Sequence, residues 1–182
     1  MHSSADGFVA GPNKEMNWIH VDDEIFDYAG NQTDEADTAL YGRVTYQMME
    51  AYWPTAADKP SASKHDIHHS RWYNNVEKVV LSRTMKGANL KKTTIISENI
   101  AEEINKLKQK NGKNIVIFGS PGAGHSLMKE NLIDEFWIFV NPIILGHGIA
   151  LSTEMKEKIK LKLLSCKVFT SGVMGLQYEK IK

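Results

Sequence analysis

Three short stretches carry residue types suited to gripping phosphate. Gly119-Ser-Pro-Gly-Ala-Gly124 follows an apolar run and precedes a helix-like segment. Backbone N–H groups freed at a helix N-terminus, with glycines allowing close approach, form an anion site that suits a pyrophosphate. The candidate contacts there are Gly119, Ser120, Gly122, Ala123 and Gly124. The order G-x-x-G-x-G is not the dinucleotide fingerprint G-x-G-x-x-G, and no acidic residue stands where that fingerprint needs one for a ribose. Gly42-Arg43-Val44-Thr45 is a second strand–glycine–helix junction, where charge, hydroxyl and N–H groups can act together. Ser82-Arg83-Thr84 places two hydroxyls around an arginine at a strand exit, an arrangement that suits a phosphate monoester. Taken singly, each is as readily a tight turn or a solvated strand end.

Other residue types invite weaker readings. Trp18, Tyr46, Tyr52 and Trp53 could stack a flat heterocycle or simply fill a core. His65, His68 and His69 stand at i, i+3 and i+4, but no H-E-x-x-H arrangement accompanies them and no metal site is expected. Asp22-Asp23-Glu24 reads as the acidic start of a helix. Cys166 lies in an alternating strand without a local basic partner and is expected to be a packed thiol.

The elements that must position these groups follow from periodicity. Asp37–Tyr41, Lys78–Ser82, Thr93–Ser97, Asn114–Phe118 and Glu135–Val140 read as strands, the fourth buried on both faces. Arg43–Tyr52 reads as a helix with Val44, Met48, Met49 and Tyr52 on nearly one face, closed by Trp53-Pro54. Residues 60–75 read as a loop and a partly exposed helix. Asn99–Lys110 is the clearest helix, with Asn99 and Glu102 as a capping box, and Ser126–Asn131 is another. From Lys158 apolar residues alternate with lysines, and Thr170-Ser-Gly172 turns that strand into a last one, Val173–Ile181. Strands alternating with short helices predict an α/β chain with a mostly parallel sheet and a C-terminal antiparallel hairpin. All three phosphate-suited turns would then lie at carboxyl ends of parallel strands, where open α/β sheets take ligands.

The 182 residues carry 22 Lys+Arg against 22 Asp+Glu, with 42% hydrophobic content. A single domain spanning 1–182 is expected. The charge balance opposes a basic nucleic-acid binder and a polybasic membrane-surface protein. One cysteine excludes a disulfide framework within the chain and fits a reducing, cytoplasmic setting. No run approaches about 18 apolar residues, so no membrane span is expected, and the N-terminus shows no signal-peptide pattern.

Several motifs occur in order: Asp6-Gly-Phe-Val-Ala-Gly-Pro12, Met16-Asn-Trp18, Gly42-Arg-Val-Thr-Tyr46, Tyr52-Trp-Pro54, Ser82-Arg-Thr84 and Ile117-Phe-Gly-Ser120. Leu132-Ile-Asp-Glu135, Pro142-Ile-Ile-Leu-Gly-His-Gly148 and Phe169-Thr-Ser-Gly-Val-Met-Gly-Leu-Gln-Tyr178 complete the set. Together they resemble the stand-alone members of the RibD C-terminal domain family, of dihydrofolate reductase-like fold, over nearly the whole chain. The resemblance implies a three-layer α/β/α sandwich and an NADPH-dependent reductase of a small nitrogen heterocycle, such as 5-amino-6-(5-phosphoribosylamino)uracil in riboflavin biosynthesis. Dihydrofolate reduction and a non-catalytic scaffold of the same fold are the alternatives.

Carried over by position, Gly42, Arg43, Val44 and Thr45 would meet the cofactor phosphates. Ser82, Arg83 and Thr84 would hold the 2′-phosphate, and Gly119, Ser120 and Gly122–Gly124 the pyrophosphate and nicotinamide ribose. Asp6–Gly11, including Ala10, would line the nicotinamide and substrate side, with Trp18, Tyr52 and Trp53 beside the substrate. Asp23, five residues beyond Trp18, takes the position of the dihydrofolate enzymes' acid; Asp23 and Asp6 are the catalytic candidates. Homodimers are common in the family. Its members usually open on a longer apolar strand than the residues before Ser4, which implies a very short first strand here, a gene model that begins late, or another chain that fills the gap. The H-x-E and P-C-x-x-C zinc signatures of the bifunctional riboflavin enzymes do not occur, so only the reductase half is expected.

Overall fold

Short runs of valine, leucine and alanine with few polar interruptions call for a sheet covered on both faces. The computed structural model describes residues 1–85, 90–153, 155 and 157–181. In chain order its elements are β1 (His2–Ser4), β2 (Phe8–Ala10), α1 (Asp23–Asp34), β3 (Ala36–Gly42), α2 (Arg43–Tyr52), α3 (Lys64–Asn75), β4 (Glu77–Leu81) and β5 (Thr93–Ile96). There follow α4 (Ile100–Lys108), β6 (Asn114–Ile117), α5 (Pro121–Lys129), β7 (Glu135–Asn141), β8 (Ile149–Ala150), β9 (Leu161–Val168) and β10 (Met174–Lys180). They group into two compact units, Asp22–Ala123 and Met1–Val21 with Gly124–Lys182.

The Asp22–Ala123 unit holds a four-stranded sheet in the order β5-β4-β3-β6. Every pairing in it is parallel, with Gly42 opposite Leu81, Leu81 opposite Ile96 and Leu40 opposite Ile117. Ala39, Leu40, Tyr41, Val79 and Val80 are at most 2% exposed. Burial of each large side chain stabilises by about 1.5–3 kcal/mol. β6 ends the ladder with one hydrogen-bonded neighbour and is half-buried, not buried on both faces as its composition predicted. Helix α2 has the predicted bounds, but of the predicted face only Met49 turns inward. Tyr46 is buried and Met49 packs against the cluster of Ala39, Tyr41, Tyr73, Val76 and Val80, while Val44 and Met48 are each 50% exposed. The sequence offers two apolar stripes about half a turn apart, and only the packing partner selects between them. At the start of α4, Asn99 adopts a left-handed conformation (φ 51°) with no side-chain cap hydrogen bond, so the predicted capping box does not form.

The other unit contains a four-stranded sheet, β1-β7-β10-β9, and a separate antiparallel pair, β2 with β8. β1 runs parallel to β7; the remaining pairings are antiparallel and include the predicted C-terminal hairpin. Gly172 (φ 83°) makes the hairpin turn, its N–H donating to the Phe169 carbonyl. Fully buried Asn141 joins three segments: its amide nitrogen reaches the Ser3 and Phe139 carbonyls, and its oxygen accepts from the His20 N–H at 2.9 Å. The apolar positions of β9 are not covered. Leu163 is 51% exposed, Val168 68%, and the Cys166 thiol is exposed, not packed as expected. β9 is the last strand of its ladder, and alternation alone does not say whether anything covers the apolar side. No described helix is long and apolar enough to cross a membrane.

Candidate functional site

The parallel sheet fixes the phosphate-suited turns. Because β4, β3 and β6 run in one direction and are adjacent, Ser82–Thr84, Gly42–Thr45 and Gly119–Ala123 emerge along the same edge. Neighbouring strands of a sheet lie about 5 Å apart. Gly42 caps α2 in an extended conformation (φ −81°, ψ 161°) without a side-chain cap bond, so Arg43, Val44 and Thr45 make up the first turn. The N–H groups of a first turn have no partner within the helix, and that end carries a partial positive charge. No acid stands in this turn. Arg43 is exposed and donates to Gln47 Oε1 at 3.1 Å.

The Ser82–Thr84 turn is closed by Ser82 Oγ, which accepts from the N–H groups of Thr84 (3.2 Å) and Met85 (3.1 Å). Arg83 sits exposed at its apex. On the β6 side, Gly119 and Ser120 are both left-handed (φ 60° and 59°), which turns the chain sharply into α5. That helix starts at Pro121, earlier than predicted, with proline in a position where its missing N–H costs nothing. Buried Ser120 Oγ accepts from the Gly42 N–H at 2.7 Å. A Cβ on Gly42 would stand 3.3 Å from that oxygen and 3.6 Å from Ala123 Cβ, so the glycine permits close approach. Two predicted phosphate contacts, Gly42 N–H and Ser120 Oγ, therefore bind each other and lock β3 to the β6 turn. Gly122 is exposed and Ala123 buried, while Gly124 is buried and opens the second unit.

The other predicted residues fare differently. Asp23 is exposed in the first turn of α1, beside Asp22, whose Oδ1 accepts from the Ile25 N–H at 2.9 Å. Its surroundings are those of a helix-dipole carboxylate, not of a buried acid. Tyr52 is exposed and donates to Asp66 Oδ1 at 2.9 Å, with the Lys59 ammonium 3.5 Å from its ring centre. Trp53 is half-buried in the same unit: its Nε1 meets Met49 Sδ at 3.0 Å and its ring lies 4.1 Å from that of His69. Tyr52 and Trp53, expected to line a substrate, make these local contacts within the Asp22–Ala123 unit. The three imidazoles diverge. His65 stacks on Phe26 at 3.9 Å, His68 pairs with Asp34 at 2.9 Å, and His69 is buried among Trp53, Trp72 and Phe118. Burial pushes the His69 imidazole down to about 3, so it is neutral at physiological pH.

In the unit of Met1–Val21 and Gly124–Lys182, Asp6 is exposed but fully engaged. Its Oδ1 accepts from Ser4 Oγ (2.6 Å) and the Leu145 N–H (3.1 Å), and its Oδ2 from the Gly146 N–H (2.7 Å). The Ser4 hydrogen bond, then those backbone donors, hold its carboxyl below the usual range. Ala10 is buried in β2 opposite Ile149. Half-buried Trp18 lines a cavity of about 370 Å³ together with Gly11, Pro12, Glu15, Asn17, Leu145 and His147. Sequence reasoning assigned no role to Glu15, Asn17, Leu145 or His147; the available signal was the Pro142–Gly148 motif, which brings the last two to the loop from Gly11 to Trp18.

The RibD C-terminal domain pattern matches residues 1–174. Uncharacterized protein YyaP of Bacillus subtilis (strain 168) is 34% identical over 177 residues, covering 96% of this chain and 89% of that protein. The Thermotoga maritima diaminohydroxyphosphoribosylaminopyrimidine deaminase/5-amino-6-(5-phosphoribosylamino)uracil reductase superposes with a TM-score of 0.66 at 12% identity, covering 99% of this chain and 55% of that one. Enterococcus faecalis dihydrofolate reductase, solved with NADP(H), superposes with a TM-score of 0.63 at 14% identity, covering 100% and 94%. With an α/β fold of the dihydrofolate reductase-like class and the family's ordered motifs, the chain belongs to the RibD C-terminal domain family.

Proposed function

We propose that the protein is an NADPH-dependent reductase of a small nitrogen heterocycle. The observation that carries this reading is the edge of the parallel sheet, where three turns rich in glycine, hydroxyl and arginine leave three adjacent strands. The residues present fit a dinucleotide that carries a pyrophosphate and a separate phosphate monoester. The first turn of α2 offers N–H groups with no competing acid, and Arg43 supplies a cation beside them. Arg83, at the apex of a preformed turn, would meet the phosphate monoester that separates NADPH from NADH. Ser120 contributes indirectly, by holding the Gly42 backbone in position. Bound NADPH would supply a hydride, while these residues bind and orient it.

Family membership favours an aminouracil-type substrate of the kind named for the Thermotoga maritima enzyme. Asp6 is a positioning residue in this reading, because its oxygens hold Ser4 and the Leu145–Gly146 backbone. Dihydrofolate reduction would require a buried acid, and the exposure of Asp23 weighs against it. Unchanged turnover in Asp23→Asn would remove it as the acid. The uncovered apolar side of β9 and β10, with Leu163, Val168 and Met174, supports pairing with a second copy of the chain. Leu163→Lys should then give monomers in analytical ultracentrifugation.

The decisive experiment is a titration with NADPH and NADH by intrinsic tryptophan fluorescence. Micromolar NADPH affinity with much weaker NADH affinity is expected. Arg83→Ala should narrow that preference by roughly 1.5–3 kcal/mol, the contribution of a charge-assisted hydrogen bond. Absence of binding by either nucleotide would overturn the reading and favour a non-catalytic scaffold.

A further inference from the structure

We propose that the cavity between the Gly11–Trp18 loop and the Leu145–His147 loop binds a neutral or cationic planar heterocycle through ring or exocyclic N–H groups, with Glu15 as the specificity-determining acceptor. The proposal rests on the reductase reading for the class of its ligand, a nitrogen heterocycle.

Both walls of the cavity are fixed without a ligand. On one side the Glu15 carbonyl accepts from the Gly11 N–H (2.9 Å) and from Trp18 Nε1 (3.2 Å), while Glu15 Oε2 accepts from the Asn13 N–H (2.8 Å). The carboxylate lies over Gly11 in the space a side chain would occupy, so any larger residue there would displace it. On the other side Asp6 holds the Leu145 and Gly146 amides. Gly148 passes so close to the Ala10 carbonyl that a Cβ would collide with it. Loops tied down in this way lose little conformational entropy when a ligand arrives.

The lining then states the chemistry of the ligand. Trp18 presents an aromatic surface, and Pro12 and Leu145 are apolar. Glu15 Oε1, Asn17 and His147 are the polar groups able to meet a ring edge. Glu15 is the sole acidic residue in the lining, and neither lysine nor arginine is part of it. A carboxylate there attracts N–H donors and repels anions, so the site takes the ring and not a phosphate or carboxylate group. The space of about 370 Å³ is open to solvent, with Pro12, Glu15, Asn17 and His147 exposed, and is large enough for a one-ring heterocycle.

The test uses the full chain, ¹⁵N-labelled, titrated with 2,4-diaminopyrimidine while the Trp18 indole N–H and the Glu15 and His147 amides are followed by NMR. Those signals should shift together and saturate. Orotate, an anionic pyrimidine, should bind at least tenfold more weakly. Glu15→Gln retains an amide oxygen for the Asn13 N–H and should weaken diaminopyrimidine binding about tenfold or more, with an unchanged thermal midpoint. His147→Ala should weaken it severalfold. Equal affinity in Glu15→Gln, orotate binding as tightly, or no saturable shift in the wild type would each overturn the proposal. NADPH affinity is measured in parallel on the same variants and should not change. If the pyrimidine binds and NADPH does not, the reductase reading fails while this site stands; if NADPH binds and the pyrimidine does not, the reverse holds.

Discussion

Strands β3 and β9 are similarly long and both carry apolar residues, yet they meet opposite fates. β3 has a parallel neighbour on each side, and its Ala39, Leu40 and Tyr41 are sealed from water. β9 has one neighbour, and leucines and a thiol left in solvent. Apolar content alone does not determine burial; the number of flanking strands and the cover on each face do. The same contrast separates two kinds of candidate function. The parallel sheet supplies a rigid edge at which backbone and arginine groups can be aimed, and the antiparallel sheet supplies a surface that another molecule can cover.

The sharpest way to break the comparison is a matched pair of truncations read by urea denaturation. Leu40→Ala should cost about 2–5 kcal/mol, from lost transfer energy and a cavity in a close-packed site. Leu163→Ala, half-exposed on β9, should cost less than about 1 kcal/mol. Comparable losses would show that β9 is covered in solution.

Acidification comes next. The His69 imidazole is held down to about 3 in the folded protein, against an ordinary value near 6.5. Between those values the unfolded chain binds the extra proton, so stability is complete above the unfolded value and is lost as pH falls below it. From pH 6.5 to 5 the loss should be about 2 kcal/mol, and His69→Phe should flatten that slope in thermal melts. Ser120→Ala should cost about 1 kcal/mol by leaving the Gly42 N–H without its acceptor. It should also raise the NADPH dissociation constant by loosening the junction between β3 and α2.

The smallest effect belongs to Asp6. Its carboxyl is held low in the fold, so its contribution is present above the ordinary carboxylate value and is lost as pH falls through the lowered one. Asp6→Asn should reduce hydrogen-exchange protection at the Leu145 and Gly146 amides at neutral pH. Unchanged protection would show that the loop is held by other contacts.

The parts that were legible in the sequence are the local ones. Strand, glycine and helix follow one another within a few residues at Gly42, and the parallel order that aligns Ser82, Gly42 and Gly119 follows from the crossover helices. The bounds of α2 and the turn at Gly172 are set by nearby chemistry in the same way. What was hidden depends on distant partners. The outward face of α2, the uncovered β9 and the end-of-ladder position of β6 are decided by segments far away in the chain. The pairing of Gly42 with Ser120 joins residues 78 positions apart, and the three donors on Asp6 come partly from 139 and 140 positions away. The local contacts of Tyr52 and Trp53 were hidden because an aromatic side chain looks the same in a sequence whether it stacks a ligand or packs against histidine.

The buried Asn141 has a consequence for how the chain is made. It clasps Ser3 and the backbone at His20, so residues 1–21 acquire these partners only after more than a hundred further residues have been synthesised. Residues 22–123, which carry a complete four-stranded ladder of their own, can settle in the meantime. The time taken to make the whole stretch from residue 22 to Asn141 therefore sets how long residues 1–21 wait for their partners.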